Sequence, residues 1–248
     1  MEYDVFIPCH PKDSMKIQHV VESVQKHMKA HEIVLCSPDL ATLNGNRLSK
    51  VKIVHDRDVL PINPEKFAYR PNWVYQQFIK LFQDVTECDY YITIDCDTII
   101  NRPVDMFTPE GKPIWYVGWE QHNEPYYRFN KRILGLDKIY QGTFLADMNF
   151  FYRPVIKSLL SHFKDDKYTF IERAQEIIDD TCYPSEADLY GQFAEECFKG
   201  LYVKKRLKQW VRGKHIKEGP NWDGKEVRKN ILSLRNEDYD VLTMHSWQ

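Results

Sequence analysis

The sequence predicts an α/β protein with a mostly parallel central sheet flanked by helices. Short β-branched runs alternate with runs of helical period through the first half of the chain. The strand-like runs are mostly apolar, as expected of strands that helices cover on both faces. The chain has 248 residues, of which 43% are hydrophobic and 14% aromatic, enough for one sizeable core. No linker, repeat or low-complexity segment interrupts it. We therefore expect a single domain over residues 1–248.

The first half supplies the pattern from which the sheet is predicted. Strand-like runs cover 3–8, 32–36, 51–55 and 90–94, and helix-like runs cover 14–28 and 72–82. In the first helix, apolar residues recur at intervals of three and four from Ile17 to Met28, and Asp13 or Ser14 is the expected N-cap. Parallel strands end at one edge of their sheet, so ligands are expected at the carboxyl ends of these strands.

The second half is less regular. Residues 113–118 and 143–153 read as strands, and 154–163, 169–179 and 185–198 read as helices. Two late strands are expected in "GLYVKK" (200–205) and "DVLTMHS" (240–246).

The composition of the chain limits the kinds of function that the protein can have. The net charge of -2 argues against a general nucleic-acid-binding protein. Residues 199–217 nevertheless hold eight Lys or Arg and no acid, which indicates either an anionic ligand or a solvated surface. The six cysteines form no CxxC pair, so a reducing compartment is expected. No apolar run approaches the roughly 18 residues of a bilayer span, and the first residues lack a signal-peptide pattern. We expect a cytoplasmic protein without a transmembrane segment.

One strand ends on two carboxylates. In "YYITIDCDTIINRPVDMF" (90–107), Asp95 and Asp97 follow the apolar run directly. A strand-end Asp-x-Asp suits a hard divalent ion that carries a diphosphate. It also resembles the signature of haloacid dehalogenase-like phosphatases, in which Asp95 would be the nucleophile. A third interpretation is purely structural: the two acids begin a loop, one capping a turn and the other pairing with a base.

Four segments taken together favour the metal site. "NWVYQQFIKLF" (72–82), "YYITIDCDTIINRPVDMF" (90–107), "FLADMNFFYRP" (144–154) and "SEADLYGQF" (185–193) resemble metal-dependent glycosyltransferases of the GT-A fold, including poorly characterised bacterial and viral members. The resemblance implies a single Rossmann-like GT-A domain, with a nucleotide-sugar-binding half at 1–110 and an acceptor-binding half at 111–248. It implies transfer of a sugar from a UDP- or GDP-sugar to a hydroxyl of a glycan, glycoprotein or glycolipid, with Mn2+ or Mg2+ as cofactor. A non-catalytic nucleotide- or glycan-binding relative is the alternative from another class.

The resemblance also assigns metal and donor residues. Asp97 would be a metal ligand, and Asp95 either a second ligand or a partner of the donor ribose. His245 would be a third ligand, unless it is only a surface residue near the end of the sequence. The remaining donor-binding candidates are Pro8, Cys9 and His10 after the first strand, Asp56 after the third, and Lys80, which shares a helix face with Gln77.

Catalytic and acceptor roles fall in the second half. Glu186 would be the general base of an inverting enzyme; in a retaining enzyme it would bind the acceptor instead. Asp188 is the other catalytic candidate, although three residues after Ser185 it also suits a helix cap. Trp119, Asp147 and Asn149 are the acceptor-binding candidates. If one strand carries Asp147 and Asn149, both face the cleft or neither does.

Overall fold

The computed structural model of the protein describes residues 1–44, 46, 48–118, 123–215, 223–235 and 237–247. The strands are β1 (Asp4–Pro8), β2 (Ile33–Ser37), β3 (Lys52–His55), β4 (Tyr90–Ile94), β5 (Thr98–Ile100), β6 (Ile114–Val117), β7 (Met148–Tyr152), β8 (Val203–Arg206), β9 (Gln209–His215) and β10 (Val241–Trp247). The helices are α1 (Ser14–His27), α2 (Asp56–Val59), α3 (Pro71–Phe82), α4 (Glu124–Leu134), α5 (Arg153–Leu160), α6 (Lys167–Ile177), α7 (Glu186–Cys197) and α8 (Gly224–Leu234).

The central sheet confirms the predicted fold class. Its strand order is β3-β2-β1-β4-β7. The first four strands are parallel, and β7 pairs antiparallel with β4. Every residue of β1 and β2 is buried, because helices and loops cover both faces, whereas β3 is a partly exposed edge strand. The continuous apolar runs of the sequence are therefore explained by burial on both sides.

Two smaller sheets contain the remaining strands. Strand β10 pairs antiparallel with β5 and parallel with β9, and β6 pairs parallel with β8. Strand β5 begins directly after Asp97, and Met244 of β10 donates its amide to the carbonyl of Asp97 at 2.9 Å. A strand near residue 245 is thereby held beside the Asp-x-Asp segment.

Buried apolar side chains from both halves of the sequence form one core cluster, running from Tyr3 to Met244. The proposed division into a donor half at 1–110 and an acceptor half at 111–248 stays a prediction. No helix in the described part of the chain combines the length and apolarity needed to cross a bilayer.

One predicted strand was too long, and several elements were not predicted. The run 143–153 forms a strand only from Met148, because the amide of Phe144 is bound by the carboxylate of Asp188 instead of a neighbouring strand. Helices α4 and α8 and strands β5 and β9 were not predicted. Strand β5 has three residues, too few for an alternating pattern, and α8 buries only Val227 and Asn230 among its described side chains, so its apolar periodicity is weak.

Candidate functional site

A cleft of about 840 Å³ opens at the carboxyl ends of the parallel strands. Sequence-predicted residues that line it are Pro8, Cys9, His10, Asp56, Asp95, Asp97 and His245. They come from the ends of β1, β3 and β4 and from β10. The candidate metal residues and most of the candidate donor-binding residues therefore meet at one edge of the sheet, as the parallel topology predicts.

Asp97 is the more enclosed of the two acids that follow β4. Its residue is 8% exposed, and its Oδ1 has no hydrogen-bond partner. Its Oδ2 lies 3.1 Å from Nδ1 of His245. Burial disfavours the charge of Asp97, but the hydrogen bond and positive charge of His245 outweigh it and hold the pKa of Asp97 below its usual value. A buried carboxylate oxygen without a donor is an acceptor position that a cation can fill.

His245 is held in place by its own strand and by a buried lysine. Lys16 of α1, 1% exposed, places its Nζ 2.7 Å from the carbonyl of Met244 and 2.6 Å from Oδ1 of Asp13. Burial disfavours the imidazolium, but Asp97 and the nearby charge of Asp147 raise the pKa of His245 above its usual value. Sequence reasoning missed Lys16, because a lysine in the first turn of an amphipathic helix resembles an ordinary solvated residue. It predicted Asp13 only as a helix cap; Asp13 does occupy the N-cap position, but its side chain makes no cap hydrogen bond and pairs with Lys16 instead.

Asp95 belongs to a second group of charges. Its side chain is 38% exposed, and its Oδ1 lies 2.6 Å from Nζ of Lys80 on α3. The same Nζ lies 3.2 Å from Oε1 of Glu186, whose side chain is 3% exposed. Gln77 Oε1 accepts a hydrogen bond from the Glu186 amide at 3.4 Å. Because Gln77 and Lys80 both contact Glu186, they share one face of α3. Lys80 thus joins the strand-end acid to the first residue of α7.

The pKa values of Lys80 and Glu186 are set by two opposing effects, burial and the charges of neighbouring side chains. Burial lowers the pKa of Lys80, but Asp95 and Glu186 outweigh it, so the pKa lies above its usual value. Burial, assisted by Asp95, raises the pKa of Glu186, and Lys80 offsets only part of the effect. Lys80 was predicted to reach the donor; its Nζ is already engaged by two carboxylates, and direct contact with a donor stays a prediction.

Asp188 supports a loop. It is fully buried, and its carboxylate accepts from Thr143 Oγ1 and from the amide of Phe144, both at 3.0 Å. Burial raises the pKa of Asp188 to about 6, although those hydrogen bonds oppose the shift. The Ser185 cap is confirmed, since Ser185 Oγ accepts from the Asp188 amide at 3.3 Å, but the Asp188 carboxylate binds residues 143 and 144 and not the helix start. Neither Asp188 nor Glu186 is in the cleft lining. The contacts of Asp188 favour the structural interpretation, and a catalytic role of either residue is an untested prediction.

The structure describes two of the three acceptor candidates, Asp147 and Asn149. Asp147 precedes β7, so the predicted alternation with Asn149 does not apply. Asp147 accepts from Gln209 Nε2 at 2.7 Å and from Thr243 Oγ1, and burial together with Asp97 and Asp95 raises its pKa. Asn149 is 4% exposed and its Oδ1 has no hydrogen-bond partner. Trp119 lies outside the described residues. Acceptor contact by the three stays a prediction.

Two further donor-binding candidates, His10 and Asp56, line the same cleft. His10 caps a 3-10 turn by accepting from the Lys12 amide at 3.3 Å, which makes it part of the turn as well as of the cleft wall. Asp56 is 9% exposed, with His55 Nδ1 at 2.9 Å from its Oδ1. Burial raises the pKa of Asp56, and His55 opposes the shift.

The basic stretch 199–217 is partly neutralised by neighbouring acids. Lys204 pairs with Glu195, and Lys208 with Asp238. None of residues 199–211 lines the cleft, and the side chains of 212–217 lie outside the described part of the structure. Contact of this stretch with a donor or an acceptor stays a prediction.

Comparison with solved structures gave LgtC, a galactosyltransferase in complex with donor and acceptor sugar analogues, at 14% identity and a TM-score of 0.48. The alignment covers 97% of this chain and 86% of that one. An active-site mutant of LgtC gave 12% identity, a TM-score of 0.48 and the same coverages. No curated protein sequence matched the chain.

Residues 7–158 match a defined protein family, and this segment runs from β1 into α5 and includes Lys80, Asp95 and Asp97. The matched segment is more than half of the 248 residues. The chain therefore belongs to the family of unknown function DUF6492.

Proposed function

We propose that this protein is a metal-dependent glycosyltransferase of GT-A type that uses a nucleoside-diphosphate sugar. The observation that supports the proposal is the convergence of Asp95, Asp97 and His245 at the carboxyl edge of a parallel sheet, with Oδ1 of buried Asp97 lacking any hydrogen-bond partner. The adjoining cleft, about 840 Å³, is within the usual size range of small-molecule sites.

The donor set fits a divalent cation. Asp97 and His245 already place a carboxylate oxygen and an imidazole nitrogen 3.1 Å apart, and Asp95 adds a partly exposed carboxylate. Carboxylates suit both Mg2+ and Mn2+, and the imidazole favours Mn2+. When bound, the ion would neutralise negative charge on the departing diphosphate.

The protein's own residues would orient the reactants. Lys80 fixes the rotamer of Asp95 and holds Glu186 beside it. Because burial raises the pKa of Glu186, its carboxylate is poised to accept a proton from a bound hydroxyl in an inverting reaction. In a retaining reaction the same position would let Glu186 orient the acceptor or donor sugar.

A thermal-shift measurement tests the metal site. Wild-type protein is heated with UDP or GDP, with Mn2+, and with both together. We expect stabilisation by the nucleotide to require Mn2+, because the ion would join the diphosphate to the carboxylates. A ligand at 100 times its Kd adds about 2.7 kcal/mol to the free energy of unfolding. Asp97→Ala should remain folded and lose the Mn2+-dependent part. Asp137→Ala, which removes an exposed carboxylate paired with Lys131, should retain it.

The same proteins are then assayed for Mn2+-dependent hydrolysis of UDP- and GDP-sugars. Turnover that depends on Asp97 supports a transferase, whereas nucleotide binding without turnover favours a binding relative. An unchanged Mn2+ response in Asp97→Ala refutes the metal assignment. Covalent phosphorylation of Asp95, lost in Asp95→Asn, would instead support the phosphatase alternative.

A further inference from the structure

Four aromatic side chains form a cluster that adjoins the cleft through Trp73, here called the aromatic rim: Tyr69, Trp73, Tyr126 and Tyr183. Trp73 stacks on Tyr126 at a centroid distance of 6.2 Å and meets the edge of Tyr183 at 5.8 Å. Tyr69 lies 4.8 Å from Tyr183. Trp73 lines the cleft, and Tyr69, Trp73 and Tyr183 are all partly exposed. Half-buried rings beside a polar cleft offer apolar faces to a ligand.

The rim is connected to the candidate catalytic residues through the elements that carry it. Trp73, Gln77 and Lys80 lie at intervals of four and three along α3, so they share one face of the helix. At 1.5 Å per residue, Trp73 lies about 10 Å along the axis from Lys80. Tyr183 precedes Glu186 by three residues on the approach to α7. The rim and the group of Lys80, Asp95 and Glu186 are therefore linked by about two turns of one helix face.

Arg70 adds a positive charge to the rim. Its guanidinium carbon lies 4.7 Å above the Trp73 ring, and the residue is exposed and lines the cleft. Arg70 forms no salt bridge with any residue that the structure describes, whereas Lys80 at the inner end of the same helix face holds two carboxylates. Its backbone has φ 42°, a left-handed conformation that disfavours any side chain with a Cβ. An available guanidinium on an aromatic face suits an anionic group attached to a ring.

We propose that the aromatic rim and Arg70 form the acceptor subsite, and that it takes a saccharide whose ring carries a carboxylate or phosphate. This inference rests on the proposed function, because the sugar in the rim would be part of the acceptor that receives the transferred group. The rings pack against the C–H face of the sugar, and Arg70 binds its anionic substituent. The rim contains none of the acceptor candidates from the sequence, which were Trp119, Asp147 and Asn149. The subsite is proposed in addition to them.

Binding to a glycan array tests the subsite without requiring turnover. The array pairs neutral oligosaccharides with their uronate- and phosphate-bearing counterparts, and the labelled protein is applied with Mn2+ and UDP or GDP. We expect wild-type protein to prefer the anionic members about tenfold. Arg70→Gln should abolish this preference, and Trp73→Ala should weaken binding to both members about tenfold. Trp73→Phe, which keeps a ring, should stay within about threefold of wild type. Tyr168→Ala, which alters an aromatic residue that is 40% exposed and lies away from the cleft, is the matched control and should bind like wild type.

The outcomes separate this inference from the proposed function. Each variant is also measured for the Mn2+-dependent nucleotide thermal shift, which reports on the metal and nucleotide site separately from glycan binding. A nucleotide shift without glycan binding, or glycan binding unaffected by Trp73→Ala, overturns the subsite and leaves the transferase proposal standing. An Arg70→Gln protein that still prefers anionic members overturns the assignment of the charge. Trp73-dependent glycan binding without any nucleotide shift supports a glycan site and overturns the transferase.

Discussion

Replacement of Lys80 by methionine should destabilise the protein in a way that depends strongly on pH. Methionine keeps most of the length and volume of lysine, so packing changes little. The change leaves Glu186, with a side chain 3% exposed, without its cation at 3.2 Å. Asp95, 38% exposed and 2.6 Å from Nζ, is stabilised by water instead. The cost therefore falls mainly on Glu186.

The size of the cost has an upper limit, because a buried carboxylate can take up a proton. With an ordinary pKa of 4.5 for Glu186, protonation at pH 7 costs about 3.4 kcal/mol, at 1.36 kcal/mol per pH unit. Burial already raises this pKa in the wild type, so part of the penalty is present before the substitution. We expect Lys80→Met to lower the free energy of unfolding by about 2–3 kcal/mol at pH 7, and by less than about 1 kcal/mol at pH 5.

Urea denaturation at both pH values measures this difference. Lys80→Met/Glu186→Gln should recover most of the loss at pH 7, since the double variant buries no unpaired charge. Lys131→Met is the control: it removes an exposed pair with Asp137 and should change stability by less than about 0.5 kcal/mol. A Lys80→Met loss that is equal at pH 5 and pH 7, or a double variant no more stable than the single one, would refute the reasoning.

Two further predictions concern residues that support the site and the sheet. A Cβ on Gly191 would lie 2.2 Å from Cγ of buried Phe144. Gly191→Ala should therefore lower the free energy of unfolding, measured with urea, by about 1–3 kcal/mol, although alanine has the better helix propensity. Gly224→Ala, whose new Cβ has no neighbour closer than 3.9 Å, is the control, and equal stability of the two variants would contradict the packing argument. Asp4 is fully buried and accepts from the Glu87 and Cys88 amides at 2.7 Å and from the Glu32 amide and His31 at 3.1 Å. Burial opposes its ionisation, but these hydrogen bonds outweigh burial and lower the pKa of Asp4. Its stabilisation is therefore present above the ordinary pKa of 3.8 and lost as pH falls through the lower native value. Asp4→Asn should lower the free energy of unfolding by about 1–3 kcal/mol at pH 7. The difference from wild type should become smaller below about pH 4, and a difference that does not change with pH would show that the charge of Asp4 is irrelevant.

The sequence was informative where a local pattern reports directly on burial. The runs at β1, β2 and β4 are apolar because both faces of the sheet are covered, and they predicted the strands and their common carboxyl edge. The same logic predicted that Asp95 and Asp97 lie in a crevice. It failed at 143–147, where a run that reads as a strand is held by Asp188 instead, and at α8, whose buried face is too small to produce a periodic signal.

Local patterns contain no record of which distant groups meet. The sequence by itself determined the α/β class, the strand ends that line the cleft and the cap at Ser185. Only the tertiary structure decided that Lys80 joins Asp95 to Glu186, that Lys16 holds the strand of His245, and that Trp73 meets Tyr183. These contacts depend on the packing of α3 against α7 and on the pairing of β10 with β5. The physical reason is that strands and helices follow from short-range periodicity, whereas the pairing of buried charges is set by the burial of the elements that carry them.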